Sequence, residues 1–161
     1  MKTLRLFRLV LPLLAAGAAH ARLGETAAEI RQRFGRPESQ PNKNVMVWLI
    51  EESAGALVYT VTFDEKGGSI AEGLKPFRQA GFAEQSALNF IEDQLAVLRD
   101  PRAARVVRPG ESYTFGGETL KCGEHEHIVV DDANDLLLVW TKRPSPSVLA
   151  VTHEMLRRTR R

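Results

Sequence analysis

The densest set of reactive side chains in this 161-residue chain is the hexapeptide Cys122-Gly123-Glu124-His125-Glu126-His127, followed by Asp131, Asp132 and Asp135. In an extended segment successive side chains alternate faces, so His125 and His127 share one face while Glu124 and Glu126 take the other. Two imidazoles at i and i+2 can reach a single zinc or copper ion, and Cys122 can add a thiolate if the chain bends at Gly123. Cys122, His125 and His127 are therefore the candidate metal ligands, and His153 is the one further imidazole after residue 21. The competing reading is a solvated hairpin of alternating charge, since no second half of a site is legible elsewhere. Cys122 shares a strand face with Leu120, which predicts burial as a small apolar residue. As a nucleophile it would need a base and oxyanion donors, and only His125 lies near it in sequence.

Other chemistry is not written in the chain. It has no G-x-S-x-G elbow, no H-E-x-x-H pair, no Walker loop and no G-x-G-x-x-G after a strand. Gly67-Gly68 and Gly116-Gly117 precede no helix N-terminus, so they read as turns and not as phosphate cradles. Neighbouring acids (Glu51-Glu52, Glu92-Asp93, Asp131-Asp132) point to opposite faces of a strand or lie on a helix's polar side, and cannot form a glycosidase pair. Trp48 and Trp140 sit inside apolar runs, where core packing is the expectation. No catalytic residue and no cofactor is expected.

The elements that would position these residues are well punctuated. Thr26 and Glu29 form a T-x-x-E capping box; Ala27, Ile30 and Phe34 fall on one helical face; Gly35 and Pro37 end it. After a polar stretch, Glu38 to Asn44, the runs Val45–Ile50, Leu57–Phe63 and Ser69–Leu74 predict an antiparallel meander whose third strand ends at Pro76. Leu88, Ile91, Leu95 and Leu98 predict one stripe of a second helix that stops near Asp100-Pro101. Residues 101–110 read as a loop. Strands are then predicted at Ser112–Phe115, Thr119–Cys122, His127–Asp131, Leu136–Lys142 and Val148–His153. The order implies an α+β fold with two helices packed on an antiparallel β-sheet. Helix-then-strands occurs twice, which leaves a tandem helix-plus-meander repeat open, with halves 22–80 and 81–156.

The N-terminus has the three parts of a secretory signal: the cations Lys2, Arg5 and Arg8, the short apolar run Leu9 to Ala18, and the small-residue box Ala19-His20-Ala21. Cleavage after Ala21 leaves no stable membrane span, because the run is well below the roughly 20 residues that cross a bilayer. One domain, 22–156, and a basic tail, 157–161, follow. Loss of the three cations takes the basic residues from 22 to 19 against 20 acidic ones, net −1. Four of those 19 are Arg157, Arg158, Arg160 and Arg161, so residues 22–156 carry 15 against 20, net −5. A basic nucleic-acid-binding surface is not supported. The single cysteine excludes an internal disulfide framework.

The stretch Leu23-Gly24-Glu25-Thr26, with Ile30, Arg33-Phe34-Gly35 and Pro37, resembles the opening of small signal-bearing bacterial proteins of unknown function. In these an L-G-E-T start leads to an R-[F/Y]-G-x-P helix end and then to a segment of the V-x-F-D-x-G kind, here VTFDEKG at Val61 to Gly67. The outline is similar to helix-plus-antiparallel-sheet modules such as the small outer-membrane assembly lipoprotein and the tandem-repeat β-lactamase inhibitor protein. That resemblance implies binding to other proteins without chemistry. This chain lacks the lipid-accepting Cys of the first and the disulfide cysteines of the second. The resulting expectation is a periplasmic or secreted, non-catalytic protein that binds an unidentified protein or envelope partner through the solvent face of its sheet, marked by Thr60 and Thr62. The alternative, from a different class, is a zinc- or copper-binding protein using Cys122, His125 and His127.

Overall fold

Thr26 opens the first helix as the sequence implies. Its hydroxyl accepts from the Glu29 N–H at 3.3 Å, and the Glu29 carboxylate accepts from the Thr26 N–H at 2.7 Å. The helix ends at Gly35, whose φ of 75° suits a residue without Cβ, and the indole N–H of Trp48 donates to the Gly35 carbonyl at 3.0 Å. One tryptophan thus ties the helix exit to the sheet below. The structure, a computed structural model, describes residues 22–78, 82–96, 98 and 103–160. The expected signal segment and the expected Asp100-Pro101 stop lie outside the described residues.

The elements are α1 (Ala27–Phe34), β1 (Ser39–Asn42), β2 (Val45–Glu52), β3 (Gly55–Phe63), β4 (Ser69–Pro76), α2 (Glu84–Leu95), β5 (Arg105–Val107), β6 (Ser112–Phe115), β7 (Glu118–Lys121), β8 (Glu126–Asp131), β9 (Leu136–Thr141), β10 (Ser147–Val151) and α3 (His153–Arg158). The mixed α+β class expected from sequence is observed. The predicted meander is β2, β3 and β4, with Trp48 opposite Tyr59 and Tyr59 opposite Leu74. The whole sheet has eight antiparallel strands in the order β1-β2-β3-β4-β10-β9-β8-β5, and β6 and β7 form a separate two-stranded hairpin. Strands from the two ends of the chain meet at β4 and β10, where Leu74 pairs with Val148.

Strand parity sorts the core into two layers. One face carries Trp48, Leu57, Tyr59, Val61, Leu74, Leu138, Trp140 and Val148, covered by Ile30 and Phe34 of α1 and by Ala87 and Phe90 of α2. Among the described residues the opposite face is covered toward β8, β9 and β10, the cover reaching Ala71 of β4. There Val107, Tyr113, Phe115 and Cys122 pack on Ile128, Val130, Leu137 and Val151, with Met155 and Leu156 of α3 closing the edge.

Four features differ from the sequence reading. The buried face of α2 is Ser86, Ala87, Phe90 and Gln94, while Leu88 stays 37% exposed and Ile91 and Leu95 are half-buried. The helix is turned so that the larger Phe90 fills the core and Gln94 reaches a buried acid. The polar run Ser39–Asn42 is an edge strand held by backbone pairing to β2 and not by burial. Part of the expected 101–110 loop is β5, the opposite edge. Finally, the last expected strand stops at Val151, and Thr152 caps a third helix by accepting from the Met155 N–H at 3.4 Å. The basic tail is partly organised: Arg158 donates to the Phe63 carbonyl at 3.3 Å, and Arg160 pairs with Glu118.

Candidate interaction surface and buried polar clusters

The expected ligand segment straddles a turn. Cys122 follows β7 and is 2% exposed, with its sulfur 3.6 Å from the Glu126 carbonyl; burial and the nearby carboxylates Glu126 and Glu111 push the thiol up from its ordinary value. His125 is exposed in the turn. His127 is exposed on β8, its ring 5.3 Å from that of Trp140. Among the described residues no three His, Cys, Asp or Glu side chains group to hold a metal ion, so the fold does not bring Cys122, His125 and His127 together as a ligand set.

His153, which sequence could place only by number, sits at a junction of three elements. Its Nε2 lies 2.8 Å from Asp132 and its Nδ1 3.1 Å from Asp135, both in the β8–β9 turn; its backbone N–H also donates to Asp135, and its ring packs tilted at 51° against Phe115 of β6, with centroids 4.3 Å apart. Asp132 also accepts from the Gly116 N–H at 2.8 Å, and that bond, followed by His153, holds its carboxyl below the usual carboxylate range. Gly116 has φ 61°, and a Cβ there would meet His153 at 3.1 Å. The cluster fastens hairpin, turn and α3 together.

A second polar cluster was hidden in the core. Glu72 lies mid-strand on the helix-covered face with no exposure. Its carboxyl accepts from Ser69 Oγ and from Gln94 Nε2, each at 2.8 Å, and Gln94 in turn accepts from the Leu23 N–H at 3.0 Å. Tyr59 Oη is buried against the same carboxyl without a well-formed hydrogen bond. Burial dominates over these donors and pushes Glu72 up to about 7. A hollow of about 380 Å³ beside the cluster is lined by Ser69, Gln94, Asn134 and Leu136. Its polar walls are bonded to neighbours: Ser69 and Gln94 to Glu72, Asn134 to Asp131. The arrangement positions α2 and the N-terminal turn on the sheet.

What remains open is the uncovered half of the second sheet face. Cross-strand registers place Val47, Thr60, Gly73, Leu149 and Val139 in one row, and Leu49, Val58 and Lys75 in the next. Thr60 and Thr62 are half-buried on this face, as their alternation implied. Leu49 is 40% exposed and Leu149 39%. Beyond β4 a groove of about 800 Å³ is lined by Val58, Lys75, Phe77, Arg78, Pro144 and Pro146, with Phe77 also 40% exposed. Both sheet edges are short, and β1 carries Pro41, so pairing with an added strand is disfavoured there. No helix among the described residues is long and apolar enough to cross a membrane. Compared with protein-family models, curated proteins and solved structures, the chain finds no match.

Proposed function

We propose that the chain is an exported, non-catalytic binding module that engages a protein or envelope partner through the uncovered face of its sheet. The observation that carries this reading is the gathering of Leu49, Leu149 and Phe77, three large apolar side chains near 40% exposure, on one side of an otherwise covered sheet. A broad, lightly polar apolar surface of this kind is what partners bury. The strand order, with β1–β4 on one side of the β4–β10 seam and β10, β9, β8 and β5 on the other, supports a tandem helix-plus-meander arrangement. Export to the periplasm or medium rests on the Lys2–Ala21 pattern.

A photo-crosslinking side chain placed at Leu49 or Leu149 is expected to give a discrete adduct in cells, while one at Leu88 on the outer side of α2 gives none. Equal adducts from Leu88, or none from the sheet face, would overturn the surface assignment. N-terminal sequencing of the chain from the envelope or medium is expected to start at Arg22.

A further inference from the structure

Resting on that reading, we infer that the groove at the end of β4 receives an acidic, extended segment of the partner polypeptide. The groove has an apolar floor in Val58 and Phe77, proline walls at Pro144 and Pro146, and two cations, Lys75 and Arg78. Neither cation has a carboxylate partner among the described residues; Arg78 lies over the Phe77 ring at 5.1 Å from its centroid. Lys142, nearby in the β9–β10 connection, differs: it is held by Glu84 at 3.4 Å and lies over Trp140. Lys75 and Arg78 thus stand together on the candidate surface without an ion pair among the described residues, on a body of net −5. Two acids share this face by register: Glu126, opposite Thr141, accepts from the Gly123 N–H at 2.7 Å, while Glu51 is set by pairing against Ala56, at the far end of the row from Phe77. An anionic group is thus favoured at Lys75 and Arg78 and repelled at the β2 end, which gives the bound segment a direction.

An extended segment presents alternate side chains to opposite sides at intervals of about 3.3 Å. Apolar residues of one parity reach Val58, Phe77 and the prolines, and acidic ones reach the cations at the rim. Proline walls lose little freedom on association, which preserves the binding free energy of a short contact.

The test uses the purified full chain and a fluorescent peptide of alternating Glu and Leu, read by anisotropy. Binding is expected, with a matched Lys/Leu peptide at least about tenfold weaker and Lys75→Glu/Arg78→Glu reducing Glu/Leu affinity by about tenfold or more. Phe77→Ala is expected to weaken binding while preserving its salt dependence. These side chains are exposed, and an unchanged melting temperature confirms that each variant folds. Equal binding of the Lys/Leu peptide, or indifference to the charge reversal, overturns the inference. Capture of phosphatidylglycerol vesicles with the same dependence on Lys75 and Arg78, but no uptake of peptide, overturns it in favour of a lipid surface. If the reversal changes nothing while crosslinks from Leu149 persist, the groove assignment falls and the sheet-face reading stands. Loss of the Leu49 and Leu149 crosslinks removes the sheet-face reading itself.

Discussion

At the scale of single residues, the most consequential group is Glu72. It is sealed between Ser69, Gln94 and Tyr59, and burial raises it from 4.5 to about 7. The folded chain therefore keeps a proton that the unfolded chain releases, so the contribution of Glu72 to stability is greatest below about pH 4.5 and declines as pH rises to about 7. The span corresponds to about 3 kcal/mol. Glu29 and Asp132, held below the usual range by hydrogen bonds, act in the opposite sense at lower pH. Comparison with Glu72→Gln isolates the effect: urea titrations at pH 5 and 8 should show the wild-type decline reduced by about 2.5 kcal/mol in the variant, because at pH 5 the unfolded carboxyl is already largely ionised. The Gln amide can donate to Ser69 Oγ, which is free to turn its own proton to the Arg22 carbonyl 3.2 Å away. An unchanged pH dependence in the variant would refute the assignment.

At the scale of elements, caps and pairings decide where the chain turns. Thr152 both ends β10 and begins α3, donating to the Ile70 carbonyl at 3.1 Å and accepting from Met155. Thr152→Ala removes both bonds and is expected to destabilise the fold by about 1 kcal/mol in urea unfolding. Hydrogen exchange should rise first in α3 and in the β6–β7 hairpin, because His153 fastens both through Asp132 and Phe115. No change in α3 exchange would contradict that role. The α3 start carried a legible signal, Thr152 followed by Met155 and Leu156 with a Glu154–Arg158 pair at i,i+4. Reading the strand through to His153 obscured it. The face of α2 was less accessible: Leu88, Ile91, Leu95 and Leu98 make a good stripe by spacing. Gln94 turns inward because Glu72, far away in sequence, needs a donor.

At the scale of the whole molecule, the β4–β10 seam makes one body of two candidate halves. Trp48 and Tyr59 from the first share a core with Leu138, Trp140 and Val148 from the second. Unfolding either half would expose apolar surface of the other, so a single cooperative transition is expected, with calorimetric and van't Hoff enthalpies in agreement. Two resolved transitions in scanning calorimetry would show independent halves. The same sheet sets which surface stays open among the described residues: helices take one face, hairpin and α3 take part of the other, and the remainder presents Leu49, Leu149 and the groove.

Local physics was sufficient for the capping box at Thr26, the alternation of Leu57–Phe63, the meander and the mixed class, since each depends on neighbours within a few residues. The burial of Cys122 was legible for the same reason, through its shared face with Leu120. Everything that depends on distant pairing was decided by the tertiary structure. The polar edge β1 has no apolar signal, Glu72 meets Gln94 only after α2 docks, and His153 finds Asp132 and Asp135 only when β10 closes the sheet. That Lys75 and Arg78 share one groove without a carboxylate partner among the described residues is set only by the folded arrangement. Spacing along a chain reports which side chains share a face, and which faces meet is settled by packing the whole sheet.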